Sequence, residues 1–341
     1  MMKIVYVLLC ETVLSAKYDH KKYSWTKVME YEEVPVHSCK HFAPDIRKKT
    51  FCHNYPNLIN ELALGFRMAM HQCKAEMSDE RWNCPTTSNL RDPITKMDIN
   101  SFDLMLGTGT RESAFLHSLV SAGGAFAIAA AEARGQLKKE RIEKCNIDGQ
   151  YDENTDQKKF YLTEKYSKYG GCVSDHFYEP DSSGHIEKIH HHNARQGLKI
   201  LKDTMVEHCR CHGVSGSCRL KTCWKSLTSF EKVSAATFEK FKKAKRTKSA
   251  NAIESSKYND KLVYSEKTPN KCEKDEKFGM LASEGRECTL KGANSCKKLC
   301  CKGKYEAVKI KSIEQSNCRF NWCCSVECDE KQVEETKYYC I

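Results

Sequence analysis

The sequence predicts an α+β fold with a mainly helical N-terminal domain that carries disulfide-stapled β-hairpins, followed by a small cysteine-rich β-hairpin domain. Three segments of the N-terminal part have the apolar spacing of helices, at 57–77, 112–144 and 188–208. The cysteines crowd towards the other end. Ten of them lie in residues 272–340, after a gap of 48 residues that contains none. Because a small core needs crosslinks, we expect a C-terminal domain held mainly by disulfides.

The second predicted helix is unusually apolar. Between Ser113 and Ala131 it has no Asp, Glu, Lys or Arg, a length that would span a bilayer. Its serines, its alanines and the pair Gly123-Gly124 favour a buried helix against which other helices pack closely. The third predicted helix contains His190-His191-His192, which we expect at the surface. Three consecutive histidines on a helix point in different directions and cannot all bind one metal.

The first residues have the features of an export signal. Lys3 precedes an apolar run, and small residues at 15 and 16 suit cleavage. Removing residues 1–16 discards Cys10 and leaves 20 cysteines, an even number that indicates an oxidising compartment. The sequence therefore predicts a secreted protein in four parts: a signal peptide at 1–16, a helical domain at 17–235, a basic linker at 236–265 and a disulfide-rich domain at 266–341.

The chain is basic, with a formal net charge of +11. The cations include a run from Lys240 to Lys248 in the expected linker. A basic surface on a secreted protein favours acidic matrix polysaccharide as a partner and argues against nucleic acid. Solvation of a linker explains the same run equally well.

The strongest feature is the segment from Cys209 to Trp224, which holds four cysteines in fifteen residues. Nested pairing, Cys209 with Cys223 and Cys211 with Cys218, would staple a β-hairpin with residues 212–217 at its tip. The glycines of the tip allow positive φ. The two pairs are out of register by three residues, so we expect a β-bulge. This geometry would hold Ser215 outward on a rigid stalk.

Three chemistries compete for this hairpin. Cys209, Cys211 and His212 are residue types that bind zinc, but disulfides are favoured in an oxidising compartment. Ser215 as a hydrolase nucleophile lacks the Gly-x-Ser-x-Gly pattern, because residue 217 is Ser. The third interpretation is a modification site that is presented to an enzyme and later to a partner.

The hairpin sequence resembles the signature of the Wnt family, and this signature is highly specific. Similar segments follow the family's order elsewhere: Arg81 to Cys84, Arg111 to Phe115, Ser121 to Gly123, Tyr169 to Cys172, Asp260 to Tyr264, Cys300-Cys301, and Phe320 to Cys324. The resemblance runs from about Cys39 to Cys340.

The resemblance implies a function without catalysis or a cofactor. The family's matching serine, here Ser215, receives a monounsaturated fatty acyl group from the acyltransferase Porcupine. The lipid binds the cysteine-rich domain of a Frizzled receptor, and Wntless carries the ligand during export. An LDL-receptor-related co-receptor and heparan sulfate are further expected partners. Membrane association is expected through the lipid only, and localisation in the extracellular space and matrix.

The resemblance also implies disulfides and a second receptor contact. In the N-terminal part it pairs Cys39 with Cys52, Cys73 with Cys84, and Cys145 with Cys172. In the cytokine-like C-terminal domain it pairs Cys272 with Cys301, Cys288 with Cys296, Cys300 with Cys340, Cys318 with Cys328, and Cys323 with Cys324. The finger that holds the last pair, with Phe320 and Trp322, is the expected contact. Local packing is the alternative role of these aromatic residues.

The chain departs from the family pattern in whole disulfides. Cysteines usual near Glu132 and just before Cys145 are both absent, and so are two expected near Ser316 and Lys331. No Asn-x-Ser/Thr sequon occurs. We therefore expect a lipid-modified ligand that activates Wnt signalling in development. The alternatives are a receptor-binding decoy, or a secreted cysteine-rich metal-binding protein or hydrolase.

Overall fold

The structure, a computed structural model, divides into two units. The first comprises Met1–Glu76, Cys84–Pro269 and Glu276–Gly279, and the second Met77–Asn83, Asn270–Asp275 and Met280–Ile341. It describes residues 31–42, 45–84, 89–91, 98–137, 142–145, 164–179, 184–249, 251–275, 282–322 and 325–341, together with residues 26, 29, 278 and 280. The predicted signal peptide and the Cys323–Cys324 pair lie outside the described residues.

The first unit is mainly helical. Its helices are α1 (Ile46–Asn54), α2 (Pro56–Glu76), α3 (Ser101–Leu106), α4 (Arg111–Ala133), α5 (Glu164–Tyr178), α6 (His185–Asp203) and α7 (Phe230–Lys242). Side-chain caps fix two of the starts: Asp45 accepts from the N–H of Lys48 at 2.9 Å, and Thr110 from that of Ser113 at 3.2 Å. Short strands β1 (Asn89–Arg91) and β2 (Asp98–Asn100) pair antiparallel.

Helix α4 is the core of this unit, and α2, α5, α6 and α7 all pack against it. Among the helices of the described chain it alone has the length and composition to cross a membrane, yet 89% of its most apolar window is buried inside the fold. The prediction of a buried helix agrees with this position. The helix ends at Ala133, well before the predicted residue 144.

Glycines let three helices approach α4 backbone to backbone. A Cβ on Gly65 of α2 would lie 2.3 Å from the carbonyl oxygen of Gly123. A Cβ on Gly170 of α5 would lie 2.2 Å from that of Ala125, and one on Gly197 of α6 would lie 1.9 Å from that of Ser118. Carbon and oxygen atoms cannot approach so closely, so glycine is required at each crossing.

Of the three histidines of α6, His190 differs from the expected surface position, and the other two are half-buried. His190 is buried and donates from Nε2 to the carbonyl of Thr108 at 2.8 Å. Its ring stacks at 4.0 Å on His117 of α4, whose Nε2 lies 3.0 Å from the carbonyl of Leu106. The other two make separate contacts: His191 with Asp175, and His192 with the carbonyl of Lys261. The surface prediction is wrong for His190 because this face of α6 packs against α4, whereas His191 and His192 point away from that face as expected of consecutive helical residues.

The expected linker at 236–265 is instead folded into the first unit. Its start belongs to α7, and strands β5 (Lys245–Arg246) and β6 (Val263–Tyr264) pair in parallel. Ile253, Tyr258 and Val263 form a buried cluster with Ile189. The side chain of Asn193 donates to the carbonyl of Val263 at 2.8 Å and accepts from its N–H at 2.9 Å. These apolar residues follow the basic run, and the linker prediction did not take them into account.

The second unit is built around disulfides. Its buried cluster consists of Leu299 and four cysteines: Cys288, Cys296, Cys300 and Cys340. Around it lie β7 (Glu287–Cys288) and the short helix α8 (Cys296–Leu299), and a long hairpin of β8 (Tyr305–Asn321) and β9 (Ser325–Cys340) extends from it. The sheet order is β7-β9-β8, antiparallel throughout. Arg286 anchors the segment at 77–83 by donating to the carbonyls of Ser78, Glu80 and Arg81.

We predict opposite effects of adding a methyl group at two neighbouring glycines of α5. Gly170→Ala should lower the free energy of unfolding by about 1–3 kcal/mol or more, because its Cβ would overlap the α4 backbone. Gly171→Ala is the matched control, since a Cβ there meets nothing within 4 Å. It should be neutral, or stabilising by up to about 1 kcal/mol. Denaturant unfolding measures both, and equal effects would contradict the close crossing.

We also predict that acidification destabilises the first unit through the histidine stack. Burial, and next the adjacent His190, hold the pKa of His117 well below 6.5. As the pH falls below 6.5, the unfolded chain binds a proton at this histidine that the folded chain does not bind. The free energy of unfolding therefore falls by about 1.4 kcal/mol per pH unit. His117 therefore does not lower the free energy of unfolding above pH 6.5, and the loss grows as the pH falls below that value.

His117→Phe keeps an aromatic ring in the stack and cannot be protonated. Denaturation between pH 5 and 7 should show a shallower pH dependence for this variant. His53→Gln, an exposed change on α1, should keep the wild-type slope. A slope unchanged by His117→Phe would assign the pH dependence to other groups.

Candidate functional site

The hairpin at 206–226 is a regular antiparallel ladder. Strand β3 (Val206–Cys211) pairs with β4 (Lys221–Ser226), with Cys209 directly opposite Cys223. The last pair of the ladder is Cys211 with Lys221. The predicted bulge is wrong, because the loop beyond this pair absorbs the three-residue offset. The tip is correspondingly longer than predicted, and spans residues 212–220.

Two nested disulfides close the tip. Cys209 is bonded to Cys223, and Cys211 is bonded to Cys218. Inside them the N–H of Gly213 donates to the carbonyl of Ser217 at 2.9 Å, and the N–H of His212 to that of Leu220 at 2.7 Å. A two-stranded hairpin without a covered face is marginal in water, so these crosslinks supply the rigidity that packing does not.

Ser215 occupies the middle of this tip in a left-handed backbone conformation, with φ 59° and ψ 26°. Gly216 follows at φ 77°. Non-glycine residues seldom adopt positive φ, and those that do cluster at functional sites. Ser215 is exposed, and its hydroxyl has no hydrogen bond to any residue in the described chain. The hydroxyl is thus open to a modifying enzyme.

The geometry fits neither zinc binding nor hydrolysis at this hairpin. Cys209 and Cys211 are in disulfides and offer no thiolate to a metal. In the described residues the one cluster with metal-ligand spacing is Cys288, Cys300 and Cys340, and all three are also in disulfides. No described base is hydrogen-bonded to Ser215, as a serine nucleophile requires.

Two apolar side chains at the tip were missed in the sequence. Val214 is 90% exposed and Leu220 is 66% exposed, so the tip presents two apolar side chains to solvent. The sequence signal for them is an apolar residue inside a glycine-rich and serine-rich turn, where polar residues are usual.

The second candidate surface is the end of the hairpin formed by β8 and β9. Ser316 pairs with Asp329 and Arg319 with Glu327, so two residues of β8 lie opposite one residue of β9. This is a β-bulge, and the disulfide between Cys318 and Cys328 crosses it. The bulge separates the shaft of the finger from its end, which comprises residues 319–327.

Three large apolar side chains are exposed beyond the bulge. Phe320 is 70% exposed and lies opposite Val326, which is 62% exposed. Trp322 is 96% exposed. The alternative of local core packing fails for Phe320 and Trp322, because side chains so exposed bury little area within the chain. An exposed aromatic cluster of this kind is typical of a protein-binding surface.

The nine described disulfides are nine of the ten pairs that the hairpin geometry and the family resemblance implied, and the tenth, Cys323–Cys324, lies outside the described residues. Besides those of the two hairpins they are Cys39–Cys52, Cys73–Cys84, Cys145–Cys172, Cys272–Cys301, Cys288–Cys296 and Cys300–Cys340.

Comparisons with known proteins agree with this arrangement. A model of the Wnt family matches residues 43–341. Protein Wnt-16 of Mus musculus is 27% identical over 332 residues, which cover 89% of this chain and 88% of that protein. Protein Wnt-16 of Bos taurus is 28% identical over 334 residues, with the same shares covered.

A solved structure of human WLS in complex with WNT8A contains a chain of similar fold. The TM-score is 0.62 at 27% identity, and the match covers 84% of this chain and 95% of that chain. The family match spans most of the sequence and includes both hairpins. This chain therefore belongs to the Wnt family of signalling ligands.

Proposed function

We propose that this protein is a secreted, lipid-modified Wnt ligand that binds the cysteine-rich domain of a Frizzled-type receptor and activates Wnt signalling in development. The observation that carries the proposal is the exposed Ser215, held at positive φ on a doubly stapled tip. Its hydroxyl accepts a monounsaturated fatty acyl group from Porcupine. The proposed function involves no catalysis by this chain and no cofactor.

The acyl group supplies most of the proposed receptor affinity. Burial of a hydrocarbon chain contributes about 0.8 kcal/mol per CH₂, so a dozen methylenes in an apolar groove contribute about 10 kcal/mol before ordering costs. The two disulfides reduce those costs, because the tip is already ordered in the free ligand. Val214 and Leu220 extend the apolar contact beside the lipid.

The finger provides a second receptor contact in this proposal. Phe320, Trp322 and Val326 offer an aromatic and aliphatic surface of the composition usual in binding hot spots. The adjacent Cys323 and Cys324 are proposed to form a disulfide at the same end.

The remaining partners follow from the lipid and the charge. A ligand with an exposed acyl chain needs a carrier, and we infer Wntless because the related WNT8A is found in a complex with WLS. The net charge of +11 favours retention by heparan sulfate in the extracellular matrix. An LDL-receptor-related co-receptor completes the proposed set.

Mass spectrometry of the peptide that carries Ser215 tests the acylation. The protein is secreted from animal cells with and without a Porcupine inhibitor. We expect a monounsaturated acyl ester that the inhibitor removes. An unmodified Ser215 in efficiently secreted protein would contradict the mechanism and favour a lipid-independent ligand.

Ser215→Ala should abolish acylation and lower receptor affinity more than a hundred-fold, since even a third of the burial energy corresponds to that factor. The change keeps the Cβ, so the backbone requirement at positive φ is nearly the same. Ser217→Ala, in the same exposed tip, is the matched control and should retain both properties. Binding to the isolated receptor domain and a transcription reporter give the two readouts. Tight binding without transcription would identify a decoy.

Trp322→Ala should weaken receptor binding by about 2 kcal/mol, some thirty-fold, without changing the free energy of unfolding. The reason is that a side chain 96% exposed contributes little to folding but can bury its full area in a partner. Ile313→Ala, at 60% exposure on the shaft of the same hairpin, should leave binding within a few-fold of wild type. Equal losses in the two variants would contradict a specific contact at the finger end.

A further inference from the structure

The tip that carries Ser215 is surrounded by cations. Residues 208–230 contain no Asp or Glu. Arg210 and Lys221 lie in the last two pairs of the ladder, opposite Thr222 and Cys211, and Arg219 lies in the loop. Three positive charges are thus concentrated at the end of the hairpin where the lipid is proposed to attach.

These cations are exposed and available to a ligand. None of Arg210, Arg219 and Lys221 forms an ion pair with an acidic side chain in the described chain. The remaining cation of the hairpin, Lys225, differs, because it lies directly opposite Glu207 on β3. No ion pair joins these two side chains in the described chain, but the cross-strand carboxylate offsets part of the Lys225 charge, and Lys225 lies about 13 Å along the strand from Lys221.

The same tip also exposes two apolar side chains. Val214 precedes Ser215 and is 90% exposed, and Leu220, 66% exposed, lies between Arg219 and Lys221. The disulfide between Cys211 and Cys218 holds both segments of the loop together. Exposed apolar side chains bordered by unpaired cations are the pattern of a surface that rests in the headgroup region of a bilayer.

We propose that this tip anchors the protein to bilayers with anionic headgroups through two interactions, those of the acyl chain and those of the cations. This inference rests on the proposed acylation of Ser215. The acyl chain inserts with Val214 and Leu220, while Arg210, Arg219 and Lys221 contact anionic lipid headgroups. This differs from the expectation that membrane association is through the lipid only.

The cations are needed because membrane binding by one acyl chain is weak. A single myristoyl chain partitions with a constant of only about 10⁴ M⁻¹, and such binding is readily reversed. Each cation near an anionic surface adds about five-fold, so three add on the order of a hundred-fold. The ligand is therefore expected to bind anionic membranes more tightly than neutral ones, which it binds through the acyl chain and the apolar side chains alone.

A bilayer fits the tip better than a sulfated polysaccharide does. Both ligands attract Arg210, Arg219 and Lys221, but a polysaccharide chain is polar along its length. It leaves Val214, Leu220 and the acyl chain in water, where their exposure is unfavourable. A bilayer satisfies the charged and the apolar groups at once.

Vesicle flotation with the full-length secreted protein tests the proposal, after mass spectrometry has established acylation at Ser215. We expect tighter binding to vesicles of phosphatidylcholine with phosphatidylserine than to phosphatidylcholine alone, by on the order of a hundred-fold at low salt. High salt should remove the difference, because the Debye length falls to about 3 Å at 1 M.

Variants locate the effect. The triple change Arg210→Gln, Arg219→Gln and Lys221→Gln should remove the preference for anionic vesicles and leave binding to neutral vesicles unchanged. Lys225→Gln, the matched control on the same hairpin, should retain most of the preference. Mass spectrometry checks that each variant is acylated to the same extent and keeps its disulfides.

Three results would overturn the proposal. Equal binding of the acylated wild type to both kinds of vesicle would show that the lipid acts alone. A triple variant that loses heparin binding but keeps its preference for anionic vesicles would assign the cations to a polysaccharide. An unacylated Ser215 would refute the proposed function and this anchor together, and the mass spectrum separates that failure from the other two.

Discussion

Close contact between helix backbones is the constraint on which the first unit depends. Helix α4 presents Ser118, Gly123 and Ala125 to its neighbours, and a glycine on each of α2, α5 and α6 reaches it there. Interhelix distances this short leave no room for side chains, so the positions of α5 and α6 are fixed. Strand β3 begins three residues after α6 ends, and β4 ends four residues before α7 begins. The bundle therefore anchors both strands of the hairpin that presents Ser215.

The two hairpins are stabilised in a different way from the bundle. Neither has a covered face, and nearly every residue of β3 and β4 is exposed or half-buried. Covalent crosslinks replace the missing core: two in the short hairpin and one across the bulge of the long one. At the base of the long hairpin even the buried cluster is mostly cysteine. Apolar side chains at the tips are thus not needed for folding and remain available for a partner.

Sequence patterns predicted the features that depend on local spacing. The apolar run of α4 and the cysteines of the Ser215 hairpin belong to this group. Features that depend on tertiary contacts were missed or wrong. Helix α7 buries Phe230, Val233, Thr237 and Phe241. The buried Thr237 is polar, so the apolar spacing that predicts a helix is interrupted in the sequence. The linker prediction rested on the gap without cysteines and on the basic run within it, whereas Ile253 and Tyr258, which follow that run, are buried. The offset of the nested cysteines predicted a bulge, but an irregular loop absorbs such an offset without breaking any hydrogen bond of the ladder.

The long finger is held by one described disulfide near its end and by cross-strand pairs along its shaft. On the shaft, Glu314 lies opposite Lys331 and Ser316 opposite Asp329, and Asn317 donates to Asp329 at 3.2 Å. Exposed cross-strand pairs of this kind contribute about 0.2–1 kcal/mol each, against about 2–4 kcal/mol for a typical disulfide. The shaft is therefore held mainly by its backbone ladder, while Cys318–Cys328 holds the end beyond it. This crosslink orders the chain at the bulge beside Phe320 and Trp322, so the proposed receptor contact loses less conformational entropy on binding.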